Sequence, residues 1–232
     1  MATAFQQTPD LMKKHALIAV ALVLSVVILG CAGHSDASSG TSTTPAPQDL
    51  NPAVADTATF AGGCFWCMEP PYDKLDGVTA TISGFSGGTQ KNPSYRDVAM
   101  GRTDHTEAVQ VIYDSTQVDY ETLLRVYWHN VDPLDGSGQF CDRGSQYRPA
   151  IFPHTERQRR RAEASKDTVA QQFAQPIQVE VVPFEAFYRA EDYHQNYYRK
   201  NPTDYKQYRT GCRRDARLQT RWGDKAGGAA PL

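Results

Sequence analysis

The chain has 232 residues, of which 40% are hydrophobic and 22% charged, with 17 glycines and 14 prolines. This balance is globular and excludes a collagen-like, coiled-coil or wholly disordered chain, while the length suits one domain with an extra segment. A formal net charge of −2 argues against nucleic acid as a partner, because phosphate binding usually shows as a basic excess or stripe.

The first quarter is built differently from the rest. Met12-Lys13-Lys14-His15 precedes an unbroken apolar or small run from Ala16 to Gly30. That run is short for a membrane span, which needs roughly 20 apolar residues. It suits the apolar region of a secretory signal, about 7–15 residues after a positive start, and makes Met12 the natural start. Ile28-Leu29-Gly30-Cys31 resembles the lipobox of bacterial lipoproteins, which implies acylation of Cys31; the alternative is an ordinary signal peptide with an incidental cysteine. Residues 32–54 are rich in Ser, Thr, Gly, Pro and Ala and are expected to form a flexible linker. The expectation is an exported chain, lipid-anchored to a bacterial membrane and facing the periplasm or exterior. Its folded domain spans 55–222 and a flexible tail 223–232.

Within the domain, Thr57 to Ala61 reads as a short strand and Gly62-Gly63 as a tight turn. Cys64 to Lys74 is helix-like, with Pro70-Pro71 expected to kink or restart it. Val78 to Phe85 and Ala108 to Tyr113 read as strands. Asp119 opens an amphipathic helix, with Val118 and Leu123 placed as a hydrophobic staple and apolar residues recurring at i, i+4. Residues 132–138 form a loop by composition, and Arg148 to Phe152 suits a strand. Thr155 and Gln158 suit a capping box opening a charged helix to Phe173, in which Arg157 to Arg161 make a solvated face. Ile177 to Phe184 is a further strand. This order gives an α+β single domain.

Of five cysteines, four remain if Cys31 carries lipid: Cys64, Cys67, Cys141 and Cys212. A domain of this size does not need them all as staples. Cys64 follows the Gly-Gly turn and opens a helix, where unpaired N–H groups and the positive end of the dipole favour thiolate. Cys67 stands at Cys-x-x-Cys spacing, compatible with a redox pair, half a zinc site or a staple.

Gly63-Cys64-Phe65-Trp66 with Glu69 resembles the nucleophile motif of the A-type peptide methionine sulfoxide reductases. The resemblance recurs in chain order through 83–88, Asn92-Pro93-Ser94-Tyr95, His105-Thr106-Glu107-Ala108-Val109, 140–148 and 190–195, covering essentially the whole folded part. It implies a ferredoxin-like mixed sheet with surrounding helices and long loops. It implies reduction of methionine S-sulfoxide, free or in proteins, without cofactor or metal, by a monomer recycled by a thioredoxin-like dithiol.

Residue by residue, the resemblance makes Cys64 the nucleophile and Glu107 the proton donor, since a carboxyl in an apolar pocket holds its proton towards neutrality. Tyr95 and Tyr147 would bind the sulfoxide oxygen with Asp142 in support, and Phe65 and Trp66 would form the recess for the methyl group. His194 reads as a packing or hydrogen-bonding residue. The resulting sulfenic acid condenses with a second thiol. Cys212, where many relatives place a resolving cysteine, is favoured; Cys67 is the local alternative, and Cys141 is expected as a free buried thiol. Many relatives have Gly where Cys67 stands and another residue where Cys141 stands. The competing readings are a general thiol–disulfide oxidoreductase using Cys64 and Cys67, and a zinc-binding or disulfide-stapled module.

Overall fold

The computed structural model describes residues 54–232; the expected leader, Cys31 and nearly all of the linker lie outside the described residues. Strand β1 (Ala55–Ala61) pairs antiparallel with β3 (Thr106–Asp114), which pairs antiparallel with β2 (Val78–Ser86) on its other side. Helix α1 (Phe65–Tyr72) joins β1 to β2. Helix α2 (Tyr95–Ala99) precedes β3, and α3 (Tyr120–Trp128) follows it. A two-stranded ribbon, β4 (Gly138–Gln139) with β5 (Asp142–Arg143), leads into β6 (Ala150–Phe152), antiparallel to β1. The order β6-β1-β3-β2, with helical crossovers after β1 and β3, is the ferredoxin-like arrangement.

Helix α4 (Glu156–Ala170) follows β6, and short strands extend both edges: β7 (Glu180–Val181) parallel to β6 and β8 (Phe187–Arg189) antiparallel to β2. The chain ends in α5 (Tyr197–Lys200), α6 (Pro202–Gly211) and α7 (Arg214–Trp222).

Local chemistry sets most boundaries. The Asp119 carboxylate accepts the Thr122 N–H at 2.7 Å, which starts α3 as expected. The Thr155 hydroxyl likewise accepts the Gln158 N–H at 3.1 Å. The Gln158 side chain reaches back to the His154 N–H and across to the Thr57 carbonyl, both at 2.9 Å, so the cap also ties α4 to β1. Helix α1 runs through Pro70-Pro71 without a restart, and the Asp73 N–H closes its last turn on the Glu69 carbonyl at 3.0 Å. The expected strand from Ile177 to Phe184 shrinks to two residues, although Val182 and Phe184 still donate to the Ile151 and Pro153 carbonyls. Prolines at 176 and 183 bracket that segment and limit its ladder.

The core packs α1 and α3 against the sheet. Phe60 of β1 stacks on Tyr72 at 5.4 Å and Tyr127 at 5.3 Å between centroids, and the Tyr127 hydroxyl donates to the Ala61 carbonyl at 2.9 Å. The domain does not stop at Trp222, as the sequence suggested. Gly227 N–H donates to the His129 carbonyl at 2.8 Å, Arg125 donates to the Ala229 carbonyl at 3.1 Å, and Ala226, Ala229 and Leu232 pack on the core. These contacts use mainly backbone groups and small side chains, which composition does not reveal. Truncation after Lys225 is expected to cost about 1–2 kcal/mol, the worth of one or two net hydrogen bonds, read from urea unfolding; an unchanged midpoint would show that the segment contributes nothing.

Candidate active site

The site begins where β1 hands over to α1. A Cβ at Gly62 would lie 2.7 Å from the Met68 sulfur, and one at Gly63 only 2.6 Å from the Gln139 Cβ. Gly63 also has φ +80°, a conformation that costs other residues strain. The two glycines therefore let the turn close and place Cys64 at the N-cap of α1, buried.

The sequence reading gives the helix-end N–H groups to the Cys64 sulfur; the structure gives the first of them to Glu107. The Phe65 N–H donates to Glu107 Oε2 at 3.1 Å, bringing together residues 42 positions apart. Burial pushes the Glu107 carboxyl up to about 8, with the Phe65 hydrogen bond opposing it, so this acid holds its proton at neutral pH. Burial likewise holds the Cys64 thiol well above its ordinary value, with Cys67 and Glu107 adding to the rise. The expectation of a resting Cys64 thiolate is corrected accordingly: loss of solvent outweighs the helix end when the N–H is already given away.

The thiolate form is favoured at Cys67 instead. Its thiol is lowered to about 6, first by the hydrogen bond from Cys64 and then, against burial, by Arg214 and Arg209. Arg214 is buried under α1 and donates to the Asn130 carbonyl at 2.7 Å and to the Gly62 carbonyl and Met68 sulfur at 3.1 Å each. Its guanidinium lies 4.3 Å over the Phe140 ring. A cation held there by carbonyls and a ring favours an anion next to it.

The remaining candidates converge from four elements and a loop. Phe65 is buried, with ring centroids of Tyr95 at 6.3 Å, Phe85 at 6.1 Å and His194 at 5.0 Å. Trp66 is half-buried, stacks on Tyr197 at 3.7 Å and donates its indole N–H to His194 Nδ1 at 3.1 Å. Burial lowers the His194 ring to about 4, which keeps it neutral and makes it a positioner for Trp66. The neighbouring Gln195 amide clamps His194 to the sheet, taking the Ser83 N–H and donating to the Ser83 carbonyl, both at 2.9 Å. Burial and the nearby Glu107 and Cys64 hold the Tyr95 and Tyr147 hydroxyls well above their ordinary range, so both remain proton-bearing donors facing this centre.

The other cysteines lie differently from expectation. Cys141 is exposed and forms a disulfide with Cys212, 71 residues on, with Cα atoms 4.9 Å apart. Cys141 is thus not a free buried thiol, and the favoured resolving residue Cys212 is already bonded. The free thiol beside Cys64 is Cys67, also buried. The Cys141, Asp142 and Cys212 ligand atoms cluster within 4.8 Å, but two of them are the bonded sulfurs.

The sequence reading did not single out Arg214 or Tyr208, which α7 and α6 bring under and beside the cysteine pair. Tyr208 donates to Asp142 at 2.5 Å and meets the Trp66 ring edge-on at 5.9 Å. Neither carries a local signal: one is an arginine in a charged helix, the other one of 12 tyrosines.

A buried thiol pair at a strand-to-helix turn, joined to a protonated carboxyl on the neighbouring strand and walled by aromatics, defines a thiol-based oxidoreductase centre. The model of the family described as "Peptide methionine sulfoxide reductase" matches residues 56–226, and the chain belongs to that family. It is 46% identical over 172 residues to the peptide methionine sulfoxide reductase MsrA of Bacillus subtilis, covering 73% of this chain and 97% of that protein. Against the MsrA of Listeria monocytogenes it is 46% identical over 169 residues, covering 72% and 96%. Among solved structures, it is similar to the methionine sulfoxide reductase A of Corynebacterium diphtheriae, with TM-score 0.62 and 37% identity over 64% of this chain and 76% of the other. It is also similar to reduced Mxr1 from Saccharomyces cerevisiae, with TM-score 0.63 and 30% identity over 66% and 89%.

Replacing Arg214 by Met is expected to raise the alkylation midpoint of Cys67 by about one pH unit or more, since a cation in a buried site shifts an adjacent thiol on that scale. Peptide mass spectrometry after timed iodoacetamide labelling reads this directly. An unmoved midpoint would remove Arg214 as the counter-charge.

Proposed function

We propose that the chain reduces methionine S-sulfoxide in peptides and proteins, with Cys64 as nucleophile, Glu107 as proton donor and Cys67 as resolving thiol. The observation that carries this reading is the Glu107 carboxyl, raised to about 8 and fixed at 3.1 Å to the N–H of the residue after Cys64. Reduction of a sulfoxide needs a sulfur nucleophile and a proton for the departing oxygen, and these two groups stand together.

The sulfoxide methyl group rests on Phe65 and Trp66, and Tyr95 and Tyr147 donate to its oxygen. As the Cys64 sulfur bonds to the substrate sulfur, Glu107 gives its proton to the developing oxyanion. The hydroxyl then passes to the Cys64 sulfur as the substrate's sulfur–oxygen bond and the new sulfur–sulfur bond break, the thioether leaves, and the Cys64 thiol proton reloads Glu107 for the resolving step. Cys64 is then a sulfenic acid. The Cys67 thiolate attacks it, the Cys64–Cys67 disulfide forms and the oxygen leaves as water. Two electrons from two cysteines reduce one sulfoxide, and the two protons of the water come from Cys64 and Glu107. Cys67 suits the resolving step because its thiol lies at about 6 and it stands one helical turn from the nucleophile.

An external thioredoxin-like dithiol then returns the pair to thiols. The lipobox-like residues ending at Cys31 support a lipid-anchored enzyme on the outer side of a bacterial membrane, where that donor must also be found.

Cys64→Ser should abolish turnover of a methyl sulfoxide. Cys67→Ser should retain the first turnover and stop there, leaving a sulfenic acid that a dimedone probe captures. Peptide mapping of the wild-type chain after one turnover without reductant should find Cys64 joined to Cys67; a Cys64–Cys212 bond would return the resolving role to Cys212. Because Glu107 is protonated below about 8, the first-turnover rate should hold through neutral pH and fall as pH rises past that value. Glu107→Gln should erase this alkaline limb and slow the step by about a hundredfold, the scale of general acid catalysis. A limb that persists in the Gln variant would remove the proton-donor assignment.

A further inference from the structure

His105, Thr106 and Glu107, at the start of β3, each reach into a different part of the site. Glu107 takes the Phe65 amide. His105 is fully buried; its Nδ1 accepts the Gly88 N–H at 3.1 Å and its Nε2 donates to the Gln90 carbonyl at 2.7 Å, which ties down the loop leading to Tyr95. Thr106, also fully buried, serves the turn Ser145–Tyr147. Its hydroxyl shares one hydrogen between the Gln146 carbonyl at 3.0 Å and the Arg148 carbonyl at 3.2 Å, the residues on either side of Tyr147. The Gln146 side chain extends these contacts by donating to the carbonyl of Ala99, the last residue of α2, at 3.0 Å. Tyr95 opens that same helix. Among the described residues the Tyr147 hydroxyl has no hydrogen-bond partner, and its own N–H closes the turn on the Gly144 carbonyl at 3.0 Å.

We propose that Thr106 is a positioning residue for sulfoxide reduction: by clamping the carbonyls on either side of Tyr147, it fixes where that hydroxyl meets the substrate oxygen relative to Glu107, its neighbour on β3. Tyr147 is the apex of a stretch of backbone closed onto a single hydroxyl, and planar peptide units leave few dihedrals by which the apex can move. A threonine suits this task because its branched side chain has a restricted first torsion, which keeps the hydroxyl aimed. Arg148 fastens the start of the turn, donating to the Ser145 carbonyl at 2.9 Å and the Asp104 carbonyl at 3.1 Å, whereas Thr106 brackets Tyr147 itself. One strand thereby holds the proton donor and a hydroxyl donor in a common frame, and Gln146 extends that frame to the helix of Tyr95. Donors placed beforehand need no reorganisation when charge develops on the oxygen.

The inference rests on the reading of Tyr147 as a donor to the sulfoxide oxygen, and its test lets the two fail separately. In the full chain, Thr106→Val keeps the branched shape that a strand favours and removes the hydroxyl, while Thr106→Ser keeps the hydroxyl. Thr106→Val is expected to slow the first turnover of a methyl sulfoxide by about tenfold, the rate equivalent of one hydrogen bond. KM should stay within about twofold, the pattern of an interaction made in the transition state, and Thr106→Ser should restore most of the rate. Beside Tyr147→Phe, the Val substitution should add no further loss, because the hydroxyl it aims is gone. The alkaline limb set by Glu107 should stay in place. Fluorine NMR of a ring-fluorinated tyrosine at position 147 reads the same hold without turnover: its line should shift or broaden in Thr106→Val and return in Thr106→Ser. If the Val chain does not fold, as judged by urea unfolding, Thr106→Ala carries the same comparisons. A fluorine line left unmoved, a Val variant with wild-type turnover, or a loss that persists in full beside Tyr147→Phe overturns the inference; a wild-type chain inactive towards sulfoxides overturns the functional reading instead.

Discussion

The hydrogen bond from the Phe65 N–H to Glu107 is the contact on which the rest of the site depends. One partner is the first free amide of a helix, the other a carboxyl on the central strand of the sheet. The bond fixes where α1 begins relative to β3 and so where Cys64 sits. It also takes that amide away from the sulfur. Burial, against this bond, favours the protonated form of Glu107, and burial likewise favours the thiol form of Cys64.

From this follows a division of labour between two sulfurs. Burial disfavours the thiolate at Cys64, while the Cys64 thiol and then Arg214 favour it at Cys67. A buried cation is costly unless anions answer it, and Arg214 draws both Cys67 and Asp142 toward their charged forms. The C-terminal helices thus contribute electrostatics as well as cover: α7 brings Arg214 beneath the pair, and α6 brings Tyr208 beside it. The Cys141–Cys212 bond fastens this cover to the loop at Asp142.

Much of this was legible in the residues. Asp119 and Thr155 marked helix starts because their side chains cap locally, and the strands around Val109 and Ser83 showed in their composition. The ordered blocks around Cys64, Glu107, Tyr95 and Tyr147 named the family and the side chains that meet. What failed to show was contributed from far along the chain. The Cys64 charge state was misread because burial, with Cys67 and Glu107 adding to it, raises the thiol, and burial is set by the fold. The Cys141–Cys212 bond spans 71 residues and has no local signature, and Arg214 looks like any arginine of a solvated helix. Residues 226–232 looked like a loose tail because their small side chains conceal the backbone bonds to His129 and Arg125. Sequence patterns encode neighbours at one or two turns; burial and charge depend on what the fold brings from elsewhere.

The most direct measurement is an isotope-edited infrared titration of the Glu107 carboxyl in the reduced protein. A protonated carbonyl band that persists through neutral pH and fades with a midpoint near 8 is the expected result. A band already lost near about 4.3, where an unperturbed glutamate ionises, would contradict the account, because no proton would then stand ready beside the reacting sulfur.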